Sequence, residues 1–130
     1  MLKESKAFSG FSTDDIETAK EFYGETLGVE ITEDEAGLGL NLAGGGSVFV
    51  YPKDDHAPAD FTVLNFPVGD LDEVVDALSE RGVSFERYEG FEQDERGIAH
   101  PAPGPRIAWF KDPAGNVLSC LLYTSPSPRD

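Results

Sequence analysis

The stretch Trp109-Phe110-Lys111-Asp112-Pro113-Ala114-Gly115-Asn116-Val117 carries an aromatic run into a turn and out again into an apolar run. Pro113 presets φ for a tight turn, Gly115 supplies the conformational freedom that a reversal needs, and Asp112 and Asn116 can bond back to the chain. Arg106 to Phe110 before the turn and the residues from Val117 onward alternate in the manner of strands. The end of the chain therefore reads as two antiparallel strands joined by an Asp-Pro-x-Gly-Asn turn.

Working outward, Leu71, Val74, Val75 and Leu78 recur at helical spacing after Asp70, and the pattern stops at Arg81-Gly82. An earlier helix begins at Thr13 or Asp14, carries Ile16, Ala19, Tyr23 and Leu27 on one face and closes at Gly28. Strand signals cover Phe8 to Ser12, Val29 to Thr32, Leu38 to Leu42, Val48 to Tyr51, Phe61 to Val68 and Val83 to Tyr88. Gly44-Gly45-Gly46 reads as a hairpin turn, since no Lys-Ser/Thr follows it and it opens no helix.

The order is strand, helix, three strands, repeated. Asp15-Ile16-Glu17 matches Asp70-Leu71-Asp72, and Gly28-Val29 matches Gly82-Val83, which points to an internal duplication. The predicted class is α+β: two βαβββ modules, 6–52 and 61–119, joined by the Pro- and Asp-rich linker 53–60. They pair into a curved eight-stranded sheet with a concave cleft and act as a single domain spanning 1–119.

The chain has 130 residues, with 25 Asp+Glu against 10 Lys+Arg and a formal net charge of −15. A single domain of this size buries roughly two-thirds of its unfolded surface, enough to fold without disulfides or structural metal. The acidity speaks against nucleic acid and anionic membranes as partners, because both select clustered Lys and Arg. One cysteine excludes a disulfide scaffold, and no apolar run reaches the roughly 20 residues of a membrane helix. A cytoplasmic protein is the expectation.

Cys120 to Asp130 reads Cys-Leu-Leu-Tyr-Thr-Ser-Pro-Ser-Pro-Arg-Asp. The string resembles an in-frame translation of a sequencing-library adapter, which implies a non-native tail beyond Ser119. Leu121, Leu122 and Tyr123 are expected to extend a strand by accident of composition, and Pro126 and Pro128 to leave the end without order.

With the run Phe8 to Tyr23, the Phe22-Tyr23 and Leu27-Gly28 pairs, and the closing Trp109 to Asn116, the chain resembles the vicinal oxygen chelate superfamily. That superfamily includes glyoxalase I, extradiol dioxygenases and bleomycin-resistance proteins. The resemblance covers Lys6 to Ser119. It implies four metal-ligand places on the concave face, and here these fall on Phe8, about Val50, Val63 and Ser119. None supplies a charged or imidazole ligand, so the expectation is no metal, no other cofactor and no catalytic residue. Dimers are common in the superfamily, which implies a homodimer.

Alternation along the strands directs Phe8, Gly10, Ser12, Val63, Asn65, Pro67, Ile107, Trp109, Lys111, Val117 and Ser119 to the concave face. The candidate ligand-binding set is Phe8, Ser12, Val50, Val63, Asn65, Ile107, Trp109, Ser119 and His100. Such a surface suits a small molecule, with apolar area for affinity and sparse polar groups for orientation; the same side chains can instead simply fill the cup. His56 reads as an ordinary linker residue. The long segment Glu89 to Pro105 reads either as a lid bringing Phe91, Ile98 and His100 over the cup or as an acidic surface loop.

The expected function is metal-free binding of a small apolar or aromatic molecule, as in bleomycin-resistance-like proteins. The alternative is a glyoxalase-type lyase, isomerase or dioxygenase with a displaced metal or metal-free acid/base chemistry from His100 or Glu89.

Overall fold

The computed structural model describes residues 1–101 and 103–122. The prolines of the adapter-like tail lie outside the described residues. The chain is α+β and divides between Pro58 and Ala59 into two compact units.

In the first unit the order is β1 (Ser9–Thr13), α1 (Ile16–Glu21), β2 (Glu30–Asp34), β3 (Gly37–Asn41) and β4 (Ser47–Pro52). The sheet order is β1-β4-β3-β2, with β1 parallel to β4 and the other pairs antiparallel. Helix α1 starts at Asp15, whose side chain accepts from the Thr18 N–H. Asp15 thus takes the capping duty that the sequence assigned to Thr13 or Asp14. A π-helical turn, Phe22–Thr26, continues α1, and the Leu27 N–H reaches back to the Phe22 carbonyl at 2.9 Å. Gly28 at φ 73° then reverses the chain. Beneath Ala19 and Tyr23 lie Phe11, Leu38, Leu40, Val48 and Val50, all buried. Each such aliphatic side chain contributes about 1.5–3 kcal/mol.

The second unit holds β5 (Thr62–Val68), α2 (Leu71–Glu80), β6 (Ile107–Lys111) and β7 (Val117–Leu122). The sheet order is β5-β7-β6, with β5 parallel to β7 and β6 antiparallel to it. Asp70 caps α2 by accepting from the Glu73 N–H, and Gly82 at φ 93° ends it. The duplicated Asp and Gly therefore serve the same two helix-terminal duties in both units. Leu71, Val75 and Leu78 are buried from α2, as are Ala108, Phe110, Leu118 and Cys120 from the sheet.

The described residues form seven strands rather than the eight expected. Val83 to Tyr88 contributes a single bridge, Phe85 to Phe110, with the Glu86 N–H bonded to the Trp109 carbonyl at 2.8 Å. The ladder stops there because the Gln93 side chain takes the Tyr88 N–H and the Glu86 carbonyl, at 2.8 and 2.9 Å. A side-chain amide does the work of a neighbouring strand.

The Asp-Pro-x-Gly-Asn turn joins β6 to β7 and is built around the buried Asp112. Its Oδ1 accepts from the Ala114 and Asn116 N–H groups, and its Oδ2 from Asn116 Nδ2, each at 2.9 Å. Gly115 sits at φ 88°.

Candidate functional site

The face of the second sheet opposite α2 gathers most of the candidate residues. In the ladder Asn65 pairs with Ser119 and Ser119 with Trp109, so the three share that face, and alternation adds Pro67, Leu121, Ile107, Val117 and Lys111. Ser119 Oγ donates to Asn65 Oδ1 at 2.5 Å. Ser119 is wholly buried while Asn65 is exposed, so the pair offers its remaining amide group outward.

Trp109 is the centre of an aromatic cluster. Tyr88 meets it edge-on with ring centroids 5.4 Å apart, and Phe91 lies tilted against it at 5.0 Å. Burial pushes the Tyr88 hydroxyl above its usual pKa, and the nearby Glu86 charge adds to that. The result is a hydrophobic, ring-lined patch beside one satisfied polar pair, the combination by which proteins hold and orient small organic molecules.

Two candidates lie outside the Asn65–Ser119–Trp109 ladder. Val63 falls at a register irregularity between Thr62 and Leu64, a bulge that breaks the alternation used to place it. His100 is exposed and lines a surface groove with Pro67, Arg106 and Leu121. Its position follows from Ala99, which exchanges both main-chain bonds with Ile107 at 2.8 Å.

In the first unit Gly10 and Ser12 share the face of the sheet opposite α1 with Phe49 and Tyr51, whose rings are stacked with centroids 6.1 Å apart. Val50 is not on that face. It pairs with Phe11 and is fully buried on the α1 side, so the place that the resemblance put at about Val50 on the open face falls on a neighbouring residue. Strand alternation gives the open positions to its neighbours Phe49 and Tyr51. Phe8 lies just before β1 and is 66% exposed.

The sequence reading missed His56. Its Nδ1 lies 2.6 Å from Ser12 Oγ. The linker returns over β1 because the Lys53 N–H bonds the Thr13 carbonyl at 2.9 Å and the His56 N–H bonds the Lys53 carbonyl at 3.1 Å. The available signal was Pro52-Lys53-Asp54-Asp55, a turn-forming run directly after a strand.

Among the described residues, no three His, Cys, Asp or Glu side chains gather to hold a metal ion. A catalytic metal usually needs about three protein ligands, and Phe8, Val63 and Ser119, at three of the places where the resemblance implies ligands, carry neither a carboxylate nor an imidazole. Among the described residues, no helix is long and apolar enough to cross a membrane.

A family model for the glyoxalase/bleomycin resistance protein/dioxygenase superfamily matches residues 9–119. No curated protein matches the chain. Solved structures do. The antibiotic-binding protein TnmS3 from Streptomyces sp. CB03234 is 28% identical, with a TM-score of 0.66 over 91% of this chain and 96% of that one. The glyoxalase family protein from Enterococcus faecalis is 21% identical, with a TM-score of 0.67 over 93% of this chain and 99% of that one. The fosfomycin resistance protein FosX from Listeria monocytogenes shares the fold at 13% identity, with a TM-score of 0.69 over 91% of this chain and 92% of that one.

Proposed function

Since the chain belongs to the glyoxalase/bleomycin resistance protein/dioxygenase superfamily, we propose that it binds a small apolar or aromatic molecule without a metal. The observation that carries this reading is the Asn65–Ser119 pair set beside the Trp109 aromatic cluster on one sheet face. Ring area there supplies affinity, and the outward amide of Asn65 fixes orientation. Val63, Ile107 and His100 complete the proposed contact set in the second unit; in the first unit the proposed contacts are Phe8 and Ser12, with Phe49 and Tyr51 in the role first given to Val50. Ser119 stands at a position where metal-using members need a carboxylate, and here its hydroxyl serves the ligand-orienting pair instead. The 28% identity to an antibiotic-binding protein supports a sequestering role. In this reading 1–119 works as one domain, as a cytoplasmic homodimer, with neither nucleic acid nor membrane as a partner.

A thermal-shift screen of aromatic and apolar compounds in the presence of a chelator tests it. A true ligand at about 100 times its Kd adds about 2.7 kcal/mol of stability. A screen in which no compound raises the Tm overturns the proposal.

The Ser12–His56 contact favours a second reading, a metal-free enzyme of glyoxalase type. An imidazole nitrogen within hydrogen-bond reach of a hydroxyl is a group able to move a proton. Mass spectrometry of a bound compound after incubation separates the two readings. A sequestering protein returns the compound unchanged, and an enzyme returns a different mass, with turnover lost in His56→Ala.

A further inference from the structure

The segment between α2 and β6 is fastened along most of its length. Arg87 Nη2 donates to the Asp94 and Glu95 carbonyls, both at 2.8 Å. Asp94 Oδ1 accepts from the Arg96 and Ile98 N–H groups, each at 2.9 Å. Gln93 Nε2 reaches the Gly97 carbonyl at 2.7 Å, and Arg96 ion-pairs with Asp72 and Asp76 of α2. Ile98 and Ala99 are buried, and Ala99 is paired to β6.

The tip 89–92 is held differently. The Gln93 carboxamide ties Tyr88 to Gln93 and so closes a neck around the tip. Within it the Phe91 N–H reaches the Tyr88 carbonyl only at 3.4 Å, near the limit of a hydrogen bond. Gly90 is at φ 93° with open space where a Cβ would stand. Phe91 itself is 43% exposed, and its tie to the body is the ring contact with Trp109. That contact is a tilted ring pair with centroids 5.0 Å apart, dispersive rather than hydrogen-bonded.

We propose that 89–92 is a flap latched by Phe91 on Trp109, opening about the Tyr88–Gln93 neck to bare the Trp109 ring while the body of the segment stays in place. Its purpose rests on the reading that the Trp109 face holds the ligand; its motion does not. The flap makes Phe91 the residue that sets access to Trp109 and, once a planar molecule replaces the Phe91 ring against Trp109, the size it must match.

Trp109 is the one tryptophan in the chain, so its fluorescence reports the latch with no ligand present. Acrylamide quenching of full-length protein should rise about twofold in Phe91→Ala with circular dichroism unchanged, while Phe91→Leu stays near wild type. Gln93→Ala, which removes the bond to the Tyr88 N–H together with those to the Glu86 and Gly97 carbonyls, should loosen the latch and raise quenching as well. Amides of 89–92 should exchange hydrogen about 100-fold faster than those of Glu86 and Ala99. Unchanged quenching in Phe91→Ala, or tip amides as protected as Ala99, overturns the flap. A failed ligand screen would leave these results intact and strike only the proposed function.

Discussion

Ser119 Oγ and Asn65 Oδ1 lie 2.5 Å apart across the parallel β5–β7 pair, yet one residue is wholly buried and the other faces solvent. The two ends of a single hydrogen bond therefore differ in what their loss costs. An exposed amide left without its partner turns to water. A buried hydroxyl does not.

Asn65→Ala should accordingly destabilise the protein more than Ser119→Ala. The first leaves a buried donor unsatisfied, at about 1–3 kcal/mol, and the second forfeits one net hydrogen bond, at about 1 kcal/mol. Urea denaturation of both single variants and the double variant checks the order. Equal losses would show that Ser119 finds another acceptor.

Asp72 accepts from both terminal nitrogens of Arg106 at 3.0 Å and pairs with Arg96. The Arg106 hydrogen bonds, then those of Arg96, hold its pKa down at about 2 against partial desolvation. A depressed carboxylate pKa means that its stabilisation is present above the unfolded value near 3.8 and lost as pH falls towards 2. Asp72→Asn should flatten the loss of stability between about pH 4 and pH 2 relative to wild type. Parallel acid titrations by circular dichroism measure it, and identical slopes would contradict the pairing.

The turn at Asp112 accepts bonds from two main-chain N–H groups and the Asn116 amide while almost fully buried. Asp112→Ala should cost about 3 kcal/mol, because it orphans buried donors. Gly115→Ala should cost about 1 kcal/mol through its positive φ. Thermal melts give both values.

Cys120 is buried in β7, and burial pushes its thiol up to about 11. The thiol is protonated at neutral pH and lacks an exposed sulfur. Labelling by a disulfide reagent should therefore be slow in the native protein and complete within minutes in concentrated urea. Rapid native labelling would mean that β7 opens locally.

Helices and strands were legible wherever local chemistry decides them. Gly28 and Gly82 terminate the helices, Phe11 and Thr13 face the helix as alternation requires, and the first cap falls on Asp15, one residue beyond the Thr13 or Asp14 that the sequence offered. The failures share a cause: the deciding partner is distant, or the period is broken. Val83 to Tyr88 has a strand's alternation, but Gln93 intercepts its hydrogen bonds. Val63 sits in a bulge, and the π turn after α1 inserts a residue that no apolar spacing announces. Val50 was placed by aligning family positions rather than by its own strand, where Val48 and Val50 both face the core. His56 reaches Ser12 only through the fold of the linker.

The most direct test of the central claim is a titration of Trp109 fluorescence with a panel of planar aromatic compounds in the presence of a chelator. The account predicts saturable quenching by at least one compound, unchanged when Ni²⁺, Zn²⁺, Mn²⁺ or Fe²⁺ replaces the chelator and weakened in Asn65→Ala. Quenching that appears only once a divalent metal is added, or none across the panel, would contradict it.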